Sequence, residues 1–145
     1  TSIDYPVVQG NDDSYYLTHT FKKTEHVAGA IFLDSDNNAD FSDDKNIIYG
    51  HNMKDGSMFR GLRNFLDDEF LKEHQILYLY LPDEGVWIFV IVKCEYTPAD
   101  GDAFLLGTQE EVPTLLLSTC GTDASKRLVI WCEKQEEKAE QIFEG

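Results

Sequence analysis

At 145 residues the chain has room for one compact domain, and at 42% hydrophobic and 12% aromatic it carries enough apolar matter for a packed core, which excludes a disordered chain. With 27 acidic residues against 12 basic ones, its formal net charge of −15 excludes a nucleic-acid partner and a polybasic membrane patch, and reads as solubility through self-repulsion. No stretch has the apolar length of a membrane span, and the longest apolar run, residues 86–92, suits a buried strand. There is no signal peptide at Thr1, and the missing initial methionine reads as trimming of an N-terminal segment.

In chain order, residues 5–8 read as a short strand entered through Pro6. Asp12 and Asp13 then precede a capped helical turn at residues 15–17. Strands are predicted at residues 29–33 and 46–49. Apolar residues at Met58, Phe59, Leu62, Phe65, Leu66 and Phe70 predict one helix or two short ones over residues 57–71. Residues 75–81 and 86–96 form a predicted hairpin around the turn Pro82-Asp83-Glu84-Gly85, with the second strand central because both its faces are apolar. Residues 98–111 are predicted irregular or briefly helical, residues 113–119 and 127–132 strands. The acidic tail from Glu133 reads as a frayed helix. Many short strands with few helices predict a mostly β barrel or sandwich.

The three cysteines, Cys94, Cys120 and Cys132, are an odd number with no CxxC pair, so neither a disulfide framework nor a zinc knuckle is expected. Cys94 continues the apolar face of Ile88, Val90 and Val92, and Cys132 alternates with Leu128 and Ile130, so both read as core. Cys120 closes the strand Leu115-Leu116-Leu117-Ser118-Thr119 and is followed by Gly121, which lets a substrate backbone come close. From placement alone, a buried thiol and a nucleophile fit Cys120 equally. His51 follows the strand 46–49 through Gly50. An imidazole there would serve the two needs of thiol chemistry, forming the thiolate and protonating a leaving amine. Taken alone it reads first as a polar loop histidine, and His19, His26 and His74, in polar surroundings, read as surface residues. Arg127 begins the strand after Cys120, across a short loop, where its guanidinium would donate to a developing oxyanion; an ordinary edge arginine is the plain alternative. Residues 34–40 alternate oxygen-bearing side chains as a calcium loop does. Ala39 and Lys45 stand where such a loop needs its turn glycine and its last acid, so the segment reads as a solvated acidic turn.

Taken together, the segments resemble a class B sortase. The matching blocks run in family order: DYPVVQG at residues 4–10, YYLTHTF at 15–21, GAIFLD at 29–34, NIIYGHNMKDGSMF at 46–59, LSTC at 117–120, and an arginine opening the next strand. The resemblance covers residues 4–132, and its YGHNMKDGSMF and LSTC blocks are the specific ones. It implies a mostly β fold, the sortase-type closed β-barrel with a few short helices, here spanning residues 1–134, with residues 135–145 as a charged tail. It implies a cysteine transpeptidase, a peptidase in class, at the outer face of a Gram-positive plasma membrane, using neither cofactor nor metal. Cys120 would attack the threonine carbonyl of an NPQTN-like or LPXTG-like sorting signal, His51 would move the protons, and Arg127 would hold the oxyanion. The acyl group would pass to an amine of a peptidoglycan precursor or a pilin.

By motif position, Leu17 would line the signal pocket, Ser118 would contact the bound signal, Thr119 would support the strand end, and Asp13 would lie near the groove. Three departures bear on signal preference. Asp13 stands where the family often has asparagine, Gly121 where an acid is frequent, and residues 97–112 are shorter than the usual helical insertion. A hydrolytic cysteine protease and a calcium-stabilised binding module are the competing readings.

Overall fold

A computed structural model describes residues 3–120 and 125–135 of the chain. The chain is mostly β, as expected. Seven strands form one curled, half-barrel sheet: β1 (Val7–Val8), β2 (Ile31–Leu33), β3 (Lys45–His51), β4 (Ile76–Leu81), β5 (Gly85–Pro98), β6 (Thr114–Cys120) and β7 (Lys126–Lys134). Their order across the sheet is β1-β2-β3-β6-β7-β5-β4, so β3 and β6, far apart in sequence, are neighbours. That pair is parallel, whereas β6 with β7, β7 with β5 and β5 with β4 are antiparallel.

The helical segments are short. Residues 57–71 divide into a 3₁₀ helix, Phe59–Leu66, and helix α1, Asp68–Glu73. The break falls at Asp67, whose extended backbone ends the first helix. Its carboxylate accepts the Glu69 and Phe70 amides at 2.9 and 3.4 Å, capping the second. The turn Tyr15–Leu17 is likewise fixed by Asp12, which accepts the Tyr15 amide at 2.8 Å. Asp13 takes no part in that cap; its carboxylate accepts the Ser35 amide at 2.7 Å.

Strand alternation divides the apolar residues between two faces. The concave face carries Ile48, Leu115, Leu117, Leu128, Ile130 and Cys132, packed with Phe59, Leu62 and Phe65 of the 3₁₀ helix. The other face carries Ile47, Leu116 and Val129, covered by Ala103, Phe104 and Leu106 from the segment before β6. Removing the concave-side filling, as in Phe59→Ala, costs about 3–5 kcal/mol by the usual transfer and cavity terms. The hairpin strand β5 lies between β7 and β4, central as its apolar faces require. One boundary differs from the sequence reading. Glu133 and Lys134 do not begin the tail but continue β7, and the Gln135 amide bonds to the Ile88 carbonyl at 2.8 Å. Unpaired backbone groups of β5 draw those polar residues into the sheet. The remainder of the expected tail lies outside the described residues.

Candidate active site

The parallel ladder of β3 and β6 ends with His51 directly beside Cys120. The antiparallel ladder of β6 and β7 pairs Ser118 with Val129. Carried two residues further, that register sets Cys120 opposite Arg127. Residues opposite one another share a face of the sheet. His51, Cys120 and Arg127 therefore occupy one row across three adjacent strands, with neighbouring strands about 4.8 Å apart. The row lies on the face of Ile47, Leu116 and Val129, at its open end.

Each flank of the row is held from below. Gly50 precedes His51 and faces the concave core; a Cβ there would come within 2.7 Å of the Phe59 ring, so a glycine is required for close packing. Thr119, buried, accepts the Leu128 amide at 3.1 Å and returns a hydrogen bond to the Leu128 carbonyl at 3.4 Å, extending the β6–β7 contact toward the row.

The half-buried His51 ring places Nε2 2.6 Å from the Leu17 carbonyl oxygen. A carbonyl only accepts, so Nε2 is the nitrogen that donates in this contact. Leu17 is held in turn by the adjoining chain. The Ala30 amide bonds to the Tyr16 carbonyl at 2.9 Å, and Gly29, at φ 59°, lets the chain pass so close that a Cβ would strike the Tyr16 and Leu17 carbonyls. Arg127 is partly buried and donates from Nη1 to the Lys126 carbonyl at 3.1 Å.

Of the residues assigned to the signal, Leu17 is half-buried beside His51 and Asp13 is exposed. Ser118 is wholly buried and donates to the Thr119 carbonyl at 3.2 Å. Desolvation raises the Asp13 carboxyl above its ordinary range. The Ser35 amide opposes the shift, and the charges of Asp34 and Asp36 add to it.

Residues 1–135 match the sortase domain family. The chain belongs to that family. Sortase B of Listeria monocytogenes is 54% identical to it over 74 residues, 51% of this chain and 30% of that protein, so the match spans about a third of the curated relative. The solved sortase B structure from Listeria monocytogenes is 33% identical, with a TM-score of 0.76, covering 92% of this chain and 88% of that one. The Staphylococcus aureus sortase B–substrate complex has a TM-score of 0.86 at 22% identity, covering 95% and 76%, a likeness of fold. These relatives place the chain with the class B sortases.

The other thiols of this sortase are unsuited to attack. Burial pushes Cys132 strongly up and, with the Glu95 charge, lifts Cys94 to about 11. Cys94 also points its Sγ at the Leu62 carbonyl, at 3.7 Å. The acidic turn of residues 34–44 spends its oxygens on itself. The Asp43 carboxylate accepts from Asn37 Nδ2 at 2.9 Å and from the Asn38 amide and Nδ2 at 2.8 and 2.7 Å, while Asp34 accepts from the Tyr49 hydroxyl at 2.7 Å. Among the described residues no three metal-ligating side chains converge. Sequence reasoning missed the Leu17 carbonyl as the partner of His51, because a backbone acceptor has no residue signature. The one available signal was Gly29, which opens the GAIFLD block.

Proposed function

We propose that this sortase is a cysteine transpeptidase acting on a sorting-signal peptide. The observation that carries the reading is the row of His51, Cys120 and Arg127 at the ends of three neighbouring strands. The Cys120 thiolate attacks the carbonyl carbon of the signal threonine, and the Arg127 guanidinium donates to the oxyanion that forms. For that it turns from the Lys126 carbonyl toward the substrate. The C–N bond then breaks, the departing amine takes a proton from His51 Nδ1, and a thioester remains on Cys120. An incoming amine gives its proton to Nδ1 and attacks the thioester, the amide C–N bond forms as the C–S bond breaks, and the Cys120 thiolate is released with His51 again protonated. The Leu17 carbonyl holds the ring by Nε2 throughout.

NPQTN-like peptides are the proposed signal class, with LPXTG-like ones as the related chemistry, and a peptidoglycan-precursor or pilin amine is the proposed acceptor. Leu17 and Asp13 flank the proposed groove, and Ser118 meets the peptide once it is uncovered. The proposed setting is the outer face of a Gram-positive plasma membrane. No helix among the described residues is long and apolar enough to cross a membrane.

Cleavage of a labelled NPQTN peptide tests this reading. Cys120→Ala removes activity, Cys94→Ala keeps it, and hydroxylamine speeds product formation by intercepting the thioester. Equal loss in both variants contradicts a specific nucleophile. Indifference to amines makes the enzyme a hydrolase instead.

A further inference from the structure

A second row crosses the same three strands at their other end. The registers set Lys45 beside Thr114 and Thr114 opposite Glu133. Lys45 is six residues from His51 along β3, about 20 Å at the rise of a strand. Between the two rows, Ala103, Phe104 and Leu106 cover the sheet. The second row opens into a cavity of about 220 Å³ lined by Lys45, Glu110, Thr114, Leu116, Trp131 and Glu133, among others.

Lys93 also lines this cavity and is paired with Glu95, whereas Lys45 and the two glutamates of the lining are in no ion pair among the described residues. Lys45 is 7% exposed, and its ammonium takes part in no ion pair, the one ion pair among the described residues being Lys93–Glu95 at 3.4 Å. Its stem is buried, and the residue lines the cavity with no carboxylate of the described residues in ion-pair contact. Burial lowers the Lys45 pKa, whereas the charges of Glu110 and Asp102 oppose that shift. Glu133 stands two strands from Lys45, about 10 Å between backbones at the spacing of a sheet. The two make no ion pair, and the cavity between them has room for a small molecule carrying both charges. Lys93 already lies over the Trp131 ring, 4.3 Å from its centroid, so the aromatic wall is ordered before any ligand arrives.

We propose that this cavity binds a small zwitterion of amino-acid or dipeptide size. Its carboxylate meets Lys45, its ammonium meets Glu133 and Glu110, and its body lies against Trp131. The site is independent of the catalytic reading, because none of its residues belongs to the row of His51. A bare anion satisfies Lys45 but not the two glutamates, and a bare cation does the reverse. The balance of charges therefore selects a ligand bearing both.

Titration of the whole protein with glycylglycine, followed by the Trp131 indole N–H resonance, tests the proposal. A saturable shift is expected, weakened about tenfold or more by Lys45→Met and by Glu133→Gln, with acetate and methylammonium each about tenfold weaker than the dipeptide. Glu133 is exposed, so its variant probes the site without risk to the fold. Peptide cleavage is read in parallel and should be unchanged in Glu133→Gln. The proposal is overturned if no saturable shift occurs, if Glu133→Gln binds as well as the parent, or if acetate binds as tightly as glycylglycine.

Discussion

Nε2 of His51 donates to the Leu17 carbonyl at 2.6 Å, and this bond orients the imidazole ring. Asp13 shows the other kind of residue effect, a charge kept where it is poorly solvated. Its folded pKa is raised, so the folded state holds that proton more tightly than the unfolded chain. The ionised carboxylate thus reduces stability above its titration range and has no effect well below its ordinary value of 3.8. Asp13→Asn should therefore melt higher than the parent near neutral pH, with the gap closing as the pH falls below that value. An asparagine oxygen can still accept from the Ser35 amide. Calorimetry across pH checks this, and a lower melting temperature for the variant at neutral pH would show that the charged bond to Ser35 outweighs the desolvation. The residue types of the candidate site were legible because YGHNMKDGSMF and LSTC are distinctive. The orientation of His51 was not, because it depends on a main-chain oxygen at a distant point in the chain.

At the scale of elements, the parallel pairing of β3 with β6 brings His51 to Cys120, and the hairpin-like return into β7 brings Arg127. Strand positions were legible from alternation and turn residues, with boundaries shifted by only one to a few residues. The pairing order was not legible, since β3 and β6 are separated by three short helical segments and a hairpin, and nothing local in either strand names its partner. Gly29 is the element that joins fold to site. Its φ of 59° and its contact with the Tyr16 and Leu17 carbonyls make any side chain there a wedge against the support of His51. Gly29→Ala should lose about 2 kcal/mol or more, from left-handed strain together with the clash. It should also lower turnover of the folded fraction by displacing the Leu17 oxygen. Denaturant unfolding and activity per folded molecule check the two effects separately. Retention of both would mean that the segment of Leu17 relaxes without consequence for the site.

At the scale of the whole molecule, the curled sheet carries its main core on the concave side and its polar rows on the other. The face with the smaller core is thus free to hold the proposed reaction at one end and a charged cavity at the other. Net charge and composition had limited the partners but had no bearing on this division. It follows from which residues of each strand alternate outward, and that became visible only once the neighbours of each strand were known. The central claim is that one thiol of the three carries the acyl group, and intact mass spectrometry followed by peptide mapping tests it most directly. Acid quenching of the protein during turnover of an NPQTN peptide should trap the acyl fragment on Cys120, and Cys120→Ala should show no adduct and no turnover. An adduct mapped to Cys94 or Cys132, or turnover by Cys120→Ala, would contradict the account.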